Sequence, residues 1–249
     1  MLQDCGQGVS VAVHNNGAEM AFEIVMNCSD NRFNVDFCEA LSAALDFVDA
    51  QVQANQEHKF ALLIRGAGKF FSNGLDLKCL LKLPDPHSFL KETYQPLIER
   101  FLTLGMSTIA VLDGHAFAAG FVLALAQDYR VAAASSKALF CMNELLIRAA
   151  VPSGMMGVLK AKLGTPQLLR ECIFAKRWNV HHAKQDGIFD AFVEADQLIA
   201  FARSKAIPFT QTAVLKGIKQ ETYREAVALL TDPKLNALDP FRFVLPNKL

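Results

Sequence analysis

Apolar and polar positions alternate between strand-type and helix-type segments along the first half of the chain. Two β-rich apolar runs flank Asn15-Asn16-Gly17, and the Asn-Gly step favours a tight hairpin over residues 9–27. Residues 34–55 carry apolar groups at helical spacing, and Asn34 is a residue type that caps helices. The pattern therefore predicts a β-hairpin followed by a long amphipathic helix.

Phe60–Ile64 is a continuous apolar run typical of a strand that is buried on both faces, and two further buried strands are predicted at Thr108–Leu112 and Arg130–Ala134. Helical segments separate them at about 88–104 and at Ala118–Gln127, and the second of these is apolar on all sides. Strands that alternate with helices form right-handed crossovers and a mainly parallel sheet. From about residue 154 the chain is predicted to be mostly helical, with a short apolar run at residues 189–193. The fold class is thus predicted to be α/β.

Composition narrows the classes of partner. The chain has 249 residues, of which 52% are hydrophobic and 20% are charged, so it can bury a large core. The chain has 25 basic residues (lysine plus arginine) and 25 acidic residues (aspartate plus glutamate). Because it has no excess of basic residues, nucleic acid is not expected as a partner. No apolar run reaches the roughly 18 residues needed to span a bilayer, so no membrane partner is expected. The N-terminal residues show neither a signal peptide nor a transit peptide pattern.

The six cysteines form no CxxC pair and have no histidine at metal-ligand spacing. We therefore expect buried thiols in a reducing compartment, and no metal site.

Two small-residue turns carry the chemical signal. Lys69-Phe-Phe-Ser-Asn-Gly-Leu-Asp-Leu-Lys78 and Gly114-His-Ala-Phe-Ala-Ala-Gly120 each follow a strand and precede an apolar helical segment. Such turns leave backbone N–H groups free at a helix start, where an anion is stabilised. Glu144 lies further along, in an otherwise apolar run. Two amide donors and one carboxylate base are the groups needed to remove a proton next to a carbonyl.

Three segments together resemble the enoyl-CoA hydratase/isomerase (crotonase) superfamily over roughly residues 8–195. They are Gly66-Ala-Gly-Lys-Phe-Phe-Ser-Asn-Gly-Leu-Asp76, Asp113-Gly-His-Ala-Phe-Ala-Ala-Gly-Phe-Val-Leu-Ala124 with Asp128-Tyr-Arg, and Leu139-Phe-Cys-Met-Asn-Glu144. The resemblance implies a ββα spiral core over residues 1–195 and a C-terminal helical region over 196–249. It also implies trimers or paired trimers that act on an acyl-CoA thioester, with coenzyme A as part of the substrate and no separate cofactor.

The resemblance assigns a role to each matching position. The backbone N–H groups of Leu75 and Ala119 would bind the thioester oxygen, and Glu144 would be the catalytic base. The remaining matched positions are implied to contact the substrate: Ser72, Asn73, Gly74, Asp76, Lys78 and Asn143. Lys78 falls near the coenzyme A in the family, although it is as well explained as a solvated surface lysine.

Hydratases of the family use two glutamates, and the first of these positions is Val122 here. Asn143-Glu144 beside the Ser-Asn-Gly-Leu-Asp-Leu motif resembles the branch that moves a double bond from carbon 3 to carbon 2 of an enoyl-CoA. Apolar neighbours should raise the pKa of Glu144 and strengthen it as a base. The alternatives are a 2-enoyl-CoA hydratase, a dienoyl-CoA isomerase, a thioester hydrolase, or a non-catalytic acyl-CoA-binding scaffold.

Two positions depart from the family pattern. Ala119 replaces a frequent glycine, and Arg148 replaces a glycine four residues after the glutamate, where it could pair with Glu144 and lower its basicity. Other polar residues have structural explanations: Asp76 as a helix cap, Asp128 as a hydrogen-bonding group and His115 in packing. Most aromatic residues are expected in the core, with three as candidates to line an acyl tunnel: Phe70, Phe71 and Phe117.

The sequence ends in Asn247-Lys248-Leu249, which differs at one position from the peroxisomal Ser-Lys-Leu address. Together with the resemblance to isomerases of unsaturated acyl-CoA, this ending suggests a peroxisomal location. A cytoplasmic location is the alternative.

Overall fold

The computed structural model describes residues 1–205, 212–235 and 240–241. The strands are β1 (Leu2–Gly6), β2 (Val9–Asn15), β3 (Glu19–Met26), β4 (Lys59–Gly66), β5 (Phe70–Ser72), β6 (Ser107–Leu112), β7 (His115–Phe117), β8 (Tyr129–Ala133), β9 (Leu139–Cys141), β10 (Trp178–Asn179) and β11 (Ala191–Val193). The helices are α1 (Val35–Ala54), α2 (Leu77–Leu80), α3 (Pro86–Phe89), α4 (Gln95–Leu102), α5 (Ala119–Ala126), α6 (Glu144–Ile147), α7 (Ser153–Lys162), α8 (Pro166–Ile173), α9 (Val180–Gln185), α10 (Leu198–Lys205), α11 (Thr212–Thr222) and α12 (Arg224–Thr231). A π-helical turn over Leu90–Tyr94 joins α3 to α4.

A seven-stranded sheet forms the larger layer, in the order β1-β2-β3-β4-β6-β8-β11. The first two pairings are antiparallel, and β3, β4, β6, β8 and β11 are mutually parallel. The central strand β4 is buried from Phe60 to Ile64, as the continuous apolar run predicts. The α/β class and the mainly parallel sheet are confirmed.

The predicted hairpin and its following helix are present. β2 and β3 pair around the Asn-Gly turn, with Asn15 opposite Met20. α1 begins after Asn34, whose side chain accepts a hydrogen bond from the N–H of Phe37 at 2.9 Å. This cap satisfies one of the free donors at the helix start, so the chain turns from the sheet into α1 at this residue.

A second, smaller sheet carries the segments that matter for chemistry. Its order is β10-β9-β7-β5, and each of these strands is only two or three residues long. β5, β7 and β9 run parallel, so their carboxyl ends meet at one edge. The loops that leave this edge lead into α2, α5 and α6. The three motif segments are thereby gathered into one place.

The C-terminal helices pack on the core in two ways. α10 covers one face of the large sheet, where Leu198 and Ala202 join a small apolar cluster with Leu63 and Ile109. α12 packs against α7 and α4, which flank α5. The predicted helical character of this region is confirmed for the described residues, while the domain boundary at residue 195 stays a prediction.

Buried ion pairs join the C-terminal half to the large sheet. The ammonium of Lys219, which is 6% exposed, lies 2.6 Å from the carboxylate of Asp128. Asp128 also accepts hydrogen bonds from the N–H and hydroxyl of Thr108 on β6. The structural role predicted for Asp128 is confirmed. No helix in the described ranges is both long and apolar enough to cross a membrane.

Candidate active site

The loop after β5 is held from behind by a backbone bridge to Phe33. Phe33 donates its N–H to the carbonyl of Gly74 at 2.9 Å and accepts from the N–H of Asp76 at 2.8 Å. Phe33 and Leu75 are partners in this parallel bridge, in which Phe33 bonds to the residues on either side of Leu75. The N–H of Leu75 therefore points away from Phe33. The bridge thus explains why this N–H makes no bond to the residues behind the loop.

Buried side chains fix the start of the same loop. The Asn31 side chain donates to the carbonyls of Met26, Phe70 and Phe71, at 3.1 to 3.2 Å. The Ser72 hydroxyl donates to the carbonyl of Asn31 at 2.6 Å. Because Asn31 and Ser72 are fully buried and mutually bonded, the loop is preorganised before any ligand binds.

The second loop turns sharply at Ala118, immediately before α5. Ala118 has φ 50° and ψ −124°, a backbone conformation that costs a residue with a Cβ about 1–3 kcal/mol. Its N–H donates to the carbonyl of Cys141 at 2.8 Å, and its carbonyl accepts the N–H of Val122 at 3.1 Å. The turn therefore presents the N–H of Ala119 at the first position of the helix.

The two loops approach each other so closely that only glycine fits at two positions. A Cβ on Gly74 would lie 3.0 Å from the carbonyl oxygen of Phe117 and 3.5 Å from the nitrogen of Ala119. A Cβ on Gly120 would lie 2.4 Å from the carbonyl oxygen of Ser72. The backbone segments that carry the two predicted donors, Leu75 and Ala119, are therefore neighbours.

Both predicted donors are available. Within the described residues, neither the N–H of Leu75 nor that of Ala119 donates a hydrogen bond, and both residues line one cavity. Ala119 lies at a helix N-terminus, where free donors and the helix dipole favour a negative charge. The frequent glycine of the family is not needed at 119, because the positive φ falls on the preceding residue, Ala118.

Glu144 is the buried carboxylate of this cavity. The residue is 5% exposed, and neither carboxylate oxygen has a hydrogen-bond partner among the described residues. Burial without a compensating cation raises the pKa of Glu144 to about 7, against a small lowering by its own backbone N–H. A carboxylate held in this way is a stronger base than one in water.

The neighbouring Arg148 does not lower this basicity. It is exposed, forms no ion pair with Glu144, and caps α6 with φ 59° and ψ 30°. This left-handed conformation is the physical reason for a glycine at the same position in similar chains. The predicted possibility of an Arg148–Glu144 pair is therefore wrong.

The cavity has a volume of about 590 Å³, within the range of small-molecule sites. Seven of the nine predicted site residues line it: Asn73, Leu75, Asp76, Lys78, Ala119, Asn143 and Glu144. The amide oxygen of Asn143 is buried and has no partner within the described part of the chain. The side chain of Asp76 accepts from the N–H of Cys79, so its predicted role as a helix cap is confirmed.

Ser72 and Gly74, by contrast, do not line the cavity. Their contact with substrate stays a prediction, and the structure gives them a supporting role, because the Ser72 hydroxyl also accepts the N–H of Gly74 at 3.3 Å behind the loop. The proposed acyl tunnel residues are also elsewhere. Phe71 is fully buried in the core, while Phe70 and Phe117 pack with His115 in a separate aromatic cluster.

Sequence patterns did not identify several cavity residues. Asp30 and Arg32, paired at 3.3 Å, lie at the polar part of the wall. An apolar part is supplied by distant segments: Ile147, Pro152, Met155, Pro240 and Phe241. The carbonyl of Pro240 accepts the N–H of Ala150 at 3.0 Å, which attaches the C-terminal segment to the cavity. No sequence motif marks these residues, since they meet only in the folded chain.

No group of three or more histidine, cysteine, aspartate or glutamate side chains suited to a metal ion exists within the described ranges.

Comparison with known proteins agrees with this architecture. The family model for enoyl-CoA hydratase/isomerase matches residues 23–234. The chain therefore belongs to the enoyl-CoA hydratase/isomerase family.

Curated relatives include two classes of acyl-CoA enzyme. The chain is 31% identical over 170 residues to enoyl-CoA delta isomerase 2, peroxisomal, of Arabidopsis thaliana, covering 65% of this chain and 68% of that protein. It is likewise 31% identical over 142 residues to enoyl-CoA delta isomerase 1, peroxisomal, of the same plant, covering 57% and 58%. The carnitinyl-CoA dehydratase of Salmonella typhi is 33% identical over 172 residues, covering 68% and 64%. The matches thus span about three fifths to two thirds of each relative.

The fold is shared with solved structures. An enoyl-CoA isomerase of Mycobacterium tuberculosis superposes with a TM-score of 0.75 at 24% identity, covering 88% of this chain and 93% of that one. An enoyl-CoA hydratase of Mycobacterium marinum superposes with a TM-score of 0.73 at 25% identity, covering 88% and 94%. The predicted crotonase-type fold with C-terminal helices is confirmed.

Proposed function

We propose that the protein is an enoyl-CoA delta-isomerase that moves a carbon-3 double bond to the trans carbon-2 position. The observation that carries the proposal is Glu144, a buried carboxylate without a partner among the described residues, in the same cavity as two free backbone donors. Its pKa of about 7 suits a group that must both accept and return a proton.

The reaction follows from these groups. Glu144 takes a proton from carbon 2 of the bound thioester, and the electron pair moves into the carbonyl to form a dienolate. The N–H groups of Leu75 and Ala119 hold the negative oxygen, which is the largest stabilisation available in this cavity. The protonated Glu144 then returns its proton to carbon 4, and the carbonyl re-forms with the double bond at carbon 2. One base serves both carbons because the allylic unit is short and flat.

The polar part of the cavity suits the rest of an acyl-CoA. Lys78 and Arg32 are both exposed at the wall, so both cations can contact phosphate groups, although Arg32 also pairs with Asp30. The unpartnered amide oxygen of Asn143 is positioned to accept a hydrogen bond from a bound ligand. Coenzyme A is then part of the substrate, and the reaction needs no separate cofactor.

Hydration or dehydration is the second candidate, favoured by the similarity to the carnitinyl-CoA dehydratase of Salmonella typhi. Moving water on or off carbon 3 usually needs two acid–base groups. Val122 stands at the family position of the second glutamate and is fully buried. The other acidic residues of the cavity wall are engaged, since Asp30 pairs with Arg32 and Asp76 caps α2. Isomerisation is therefore the better match to the groups present.

A paired assay of the purified protein tests the proposal. With 3-hexenoyl-CoA, formation of the conjugated 2-enoyl product is expected; with 2-hexenoyl-CoA, loss of conjugation by hydration is not. Glu144→Gln should abolish the first activity while acyl-CoA binding persists. Hydration by the wild-type protein, or equal isomerisation by the variant, would refute the one-base mechanism.

We further propose a trimer or a dimer of trimers, and a peroxisomal location. Apolar side chains exposed on α6 and at the C-terminal end of α8, namely Leu145, Leu146, Ile173 and Phe174, support self-association. The location is supported by the peroxisomal plant relatives. The terminal Asn247-Lys248-Leu249 lies outside the described residues, so deletion of this tripeptide in a tagged cell assay is the test. Unchanged localisation would exclude it as the signal.

A further inference from the structure

One fully buried side chain touches the supports of both backbone donors. Tyr94 ends the π-helical turn between α3 and α4, and its hydroxyl donates to the carbonyl of Ala119 at 2.8 Å. Its ring packs edge to face on the ring of Phe33, with centroids 5.0 Å apart and planes at 71°. Tyr94 and Phe33 are both completely buried.

Each contact acts on a different donor. Phe33 is the residue whose backbone brackets Leu75, through bonds to Gly74 and Asp76. A change in the position of Phe33 therefore moves the loop that carries the N–H of Leu75. Ala119 carries the second donor, and a hydrogen bond to its carbonyl restrains the plane and tilt of the first turn of α5.

The Ala119 carbonyl is also an acceptor within the α5 helix, and the Tyr94 hydroxyl adds a second donor to it from outside the helix. The first turn of a helix lacks the preceding turn that holds interior residues, so its orientation depends on outside contacts. The adjoining Ala118 is in a strained backbone conformation, which relaxes if the surroundings loosen. Strained conformations persist only where neighbouring contacts over-determine them.

Burial of Tyr94 keeps its hydrogen bond to the Ala119 carbonyl in place over the pH range in which the protein works. Loss of solvent raises the pKa of Tyr94 well above its ordinary value, with smaller contributions from Cys38 and Glu144. The phenol therefore stays protonated and remains a donor. A π-helical turn next to a functional group is a recurrent arrangement, because the inserted residue redirects a side chain.

We infer that Tyr94 is a positioning residue that sets the separation and aim of the two N–H donors of Leu75 and Ala119. It does not touch the substrate in this reading, since it does not line the cavity. The inference rests on the proposed function only to the extent that the two donors bind a thioester oxygen.

The test uses Tyr94→Phe, which removes the hydroxyl and keeps the ring on Phe33. Moving a donor by a fraction of an ångström weakens its bond without deleting it, so we expect kcat to fall about tenfold with KM within about twofold. The infrared band of carbonyl-labelled hexanoyl-CoA, a saturated probe, should shift less on binding to the variant than to the wild-type protein. A role confined to stability would lower the melting temperature and leave this band unchanged.

Tyr223→Phe is the matched control, because it removes a hydroxyl that accepts from Lys162 at 2.9 Å, outside the cavity wall. It should leave kcat and the carbonyl band as in the wild-type protein. Phe33→Leu is the second variant; it removes the ring under Tyr94 and keeps the backbone bridge, and it should also reduce the band shift.

The outcomes separate the two proposals. If the carbonyl band shifts equally in the wild-type protein and in Tyr94→Phe, and kcat is also unchanged, the role of Tyr94 is overturned. A wild-type shift without turnover of 3-hexenoyl-CoA refutes the isomerase function, while a reduced shift in Tyr94→Phe still supports the positioning role. No wild-type shift on bound probe would overturn both, because the donors would then not contact the thioester oxygen.

Discussion

Glu144→Gln is expected to make the protein more stable at alkaline pH while it removes the proposed catalytic base. Burial raises the pKa of Glu144 from 4.5 to about 7. The folded state therefore holds the proton more tightly than the unfolded state does. Below about pH 4.5 both states are protonated and the group has no effect, but as pH rises towards 7 the folded state loses stability relative to the unfolded one.

The size of the effect follows from the two pKa values. The difference between about 7 and 4.5, at about 1.4 kcal/mol per pH unit, corresponds to about 3 kcal/mol above pH 8. Glutamine has nearly the same shape and no charge, so it avoids this cost. Its amide remains buried without a partner, as the protonated carboxyl does. The cost of this unpaired amide does not depend on pH, so it cancels when the stability of one variant is compared at two pH values.

Denaturant unfolding of both proteins at about pH 5 and about pH 8.5 measures the effect. We expect the stability of Glu144→Gln relative to wild type to increase by about 2–3 kcal/mol between these two values. For the wild-type protein, the proposal predicts that kcat/KM for 3-hexenoyl-CoA rises with pH through about 7 and then levels off, because Glu144 must be ionised in the free protein to act as the base.

Glu23→Gln is a control of opposite sign. Burial opposes ionisation of Glu23, but hydrogen bonds from Arg65 and Arg203 outweigh it and lower its pKa. Removing this charge should destabilise the protein above the unfolded pKa, and the loss should shrink as pH falls through the folded pKa. If Glu144→Gln gains no stability at alkaline pH, Glu144 is solvated or paired in solution, and the reasoning that makes it a strong base fails.

Three further substitutions test other features. Gln95→Met should stabilise the protein by about 1–3 kcal/mol in denaturant unfolding, because the Gln95 amide is fully buried with no partner in the described chain. If stability does not increase, the Gln95 amide is hydrogen-bonded in solution. Arg148→Gly should raise stability by up to about 1 kcal/mol by relieving a positive φ, and unchanged activity would show that the arginine does not assist Glu144. Gly120→Ala should lower both kcat and the melting temperature, since its Cβ would meet the Ser72 carbonyl, whereas Gly217→Ala in α11 has open space and should be neutral or stabilising.

Long apolar runs made the large sheet predictable, because β4 is buried from Phe60 to Ile64 without a polar interruption and β6 is buried along its whole length. The smaller sheet was not predictable from pattern, since three-residue strands such as β5 are too short to show a period. Motif order identified both donor loops and Glu144. It does not separate residues that face the cavity from residues behind it, and so the predicted substrate contacts include Ser72 and Gly74, which are not among the residues that line the cavity.

Contacts between distant segments account for the remaining differences. Tyr94 lies 25 residues from the carbonyl it contacts, and no local pattern connects the two. Phe241 reaches the cavity from the far end of the chain, held there in part by the Pro240–Ala150 hydrogen bond. The depth of an acyl pocket assembled in this way depends on tertiary packing, so sequence motifs around the loops carry no information about it.

The backbone origin of the two donors has a consequence for mutational scanning. Nineteen of the twenty coded residues retain a main-chain N–H, so every substitution at Leu75 or Ala119 except proline leaves the donor in place. A scan scored by activity would therefore rate these two positions as tolerant wherever the new side chain fits. Sensitivity would fall instead on residues that shape the backbone without meeting the ligand, such as Gly74, Gly120 and Asn31. The positions that tolerate no substitution would then be the residues that support the site, and the two residues that carry the donors would not be among them.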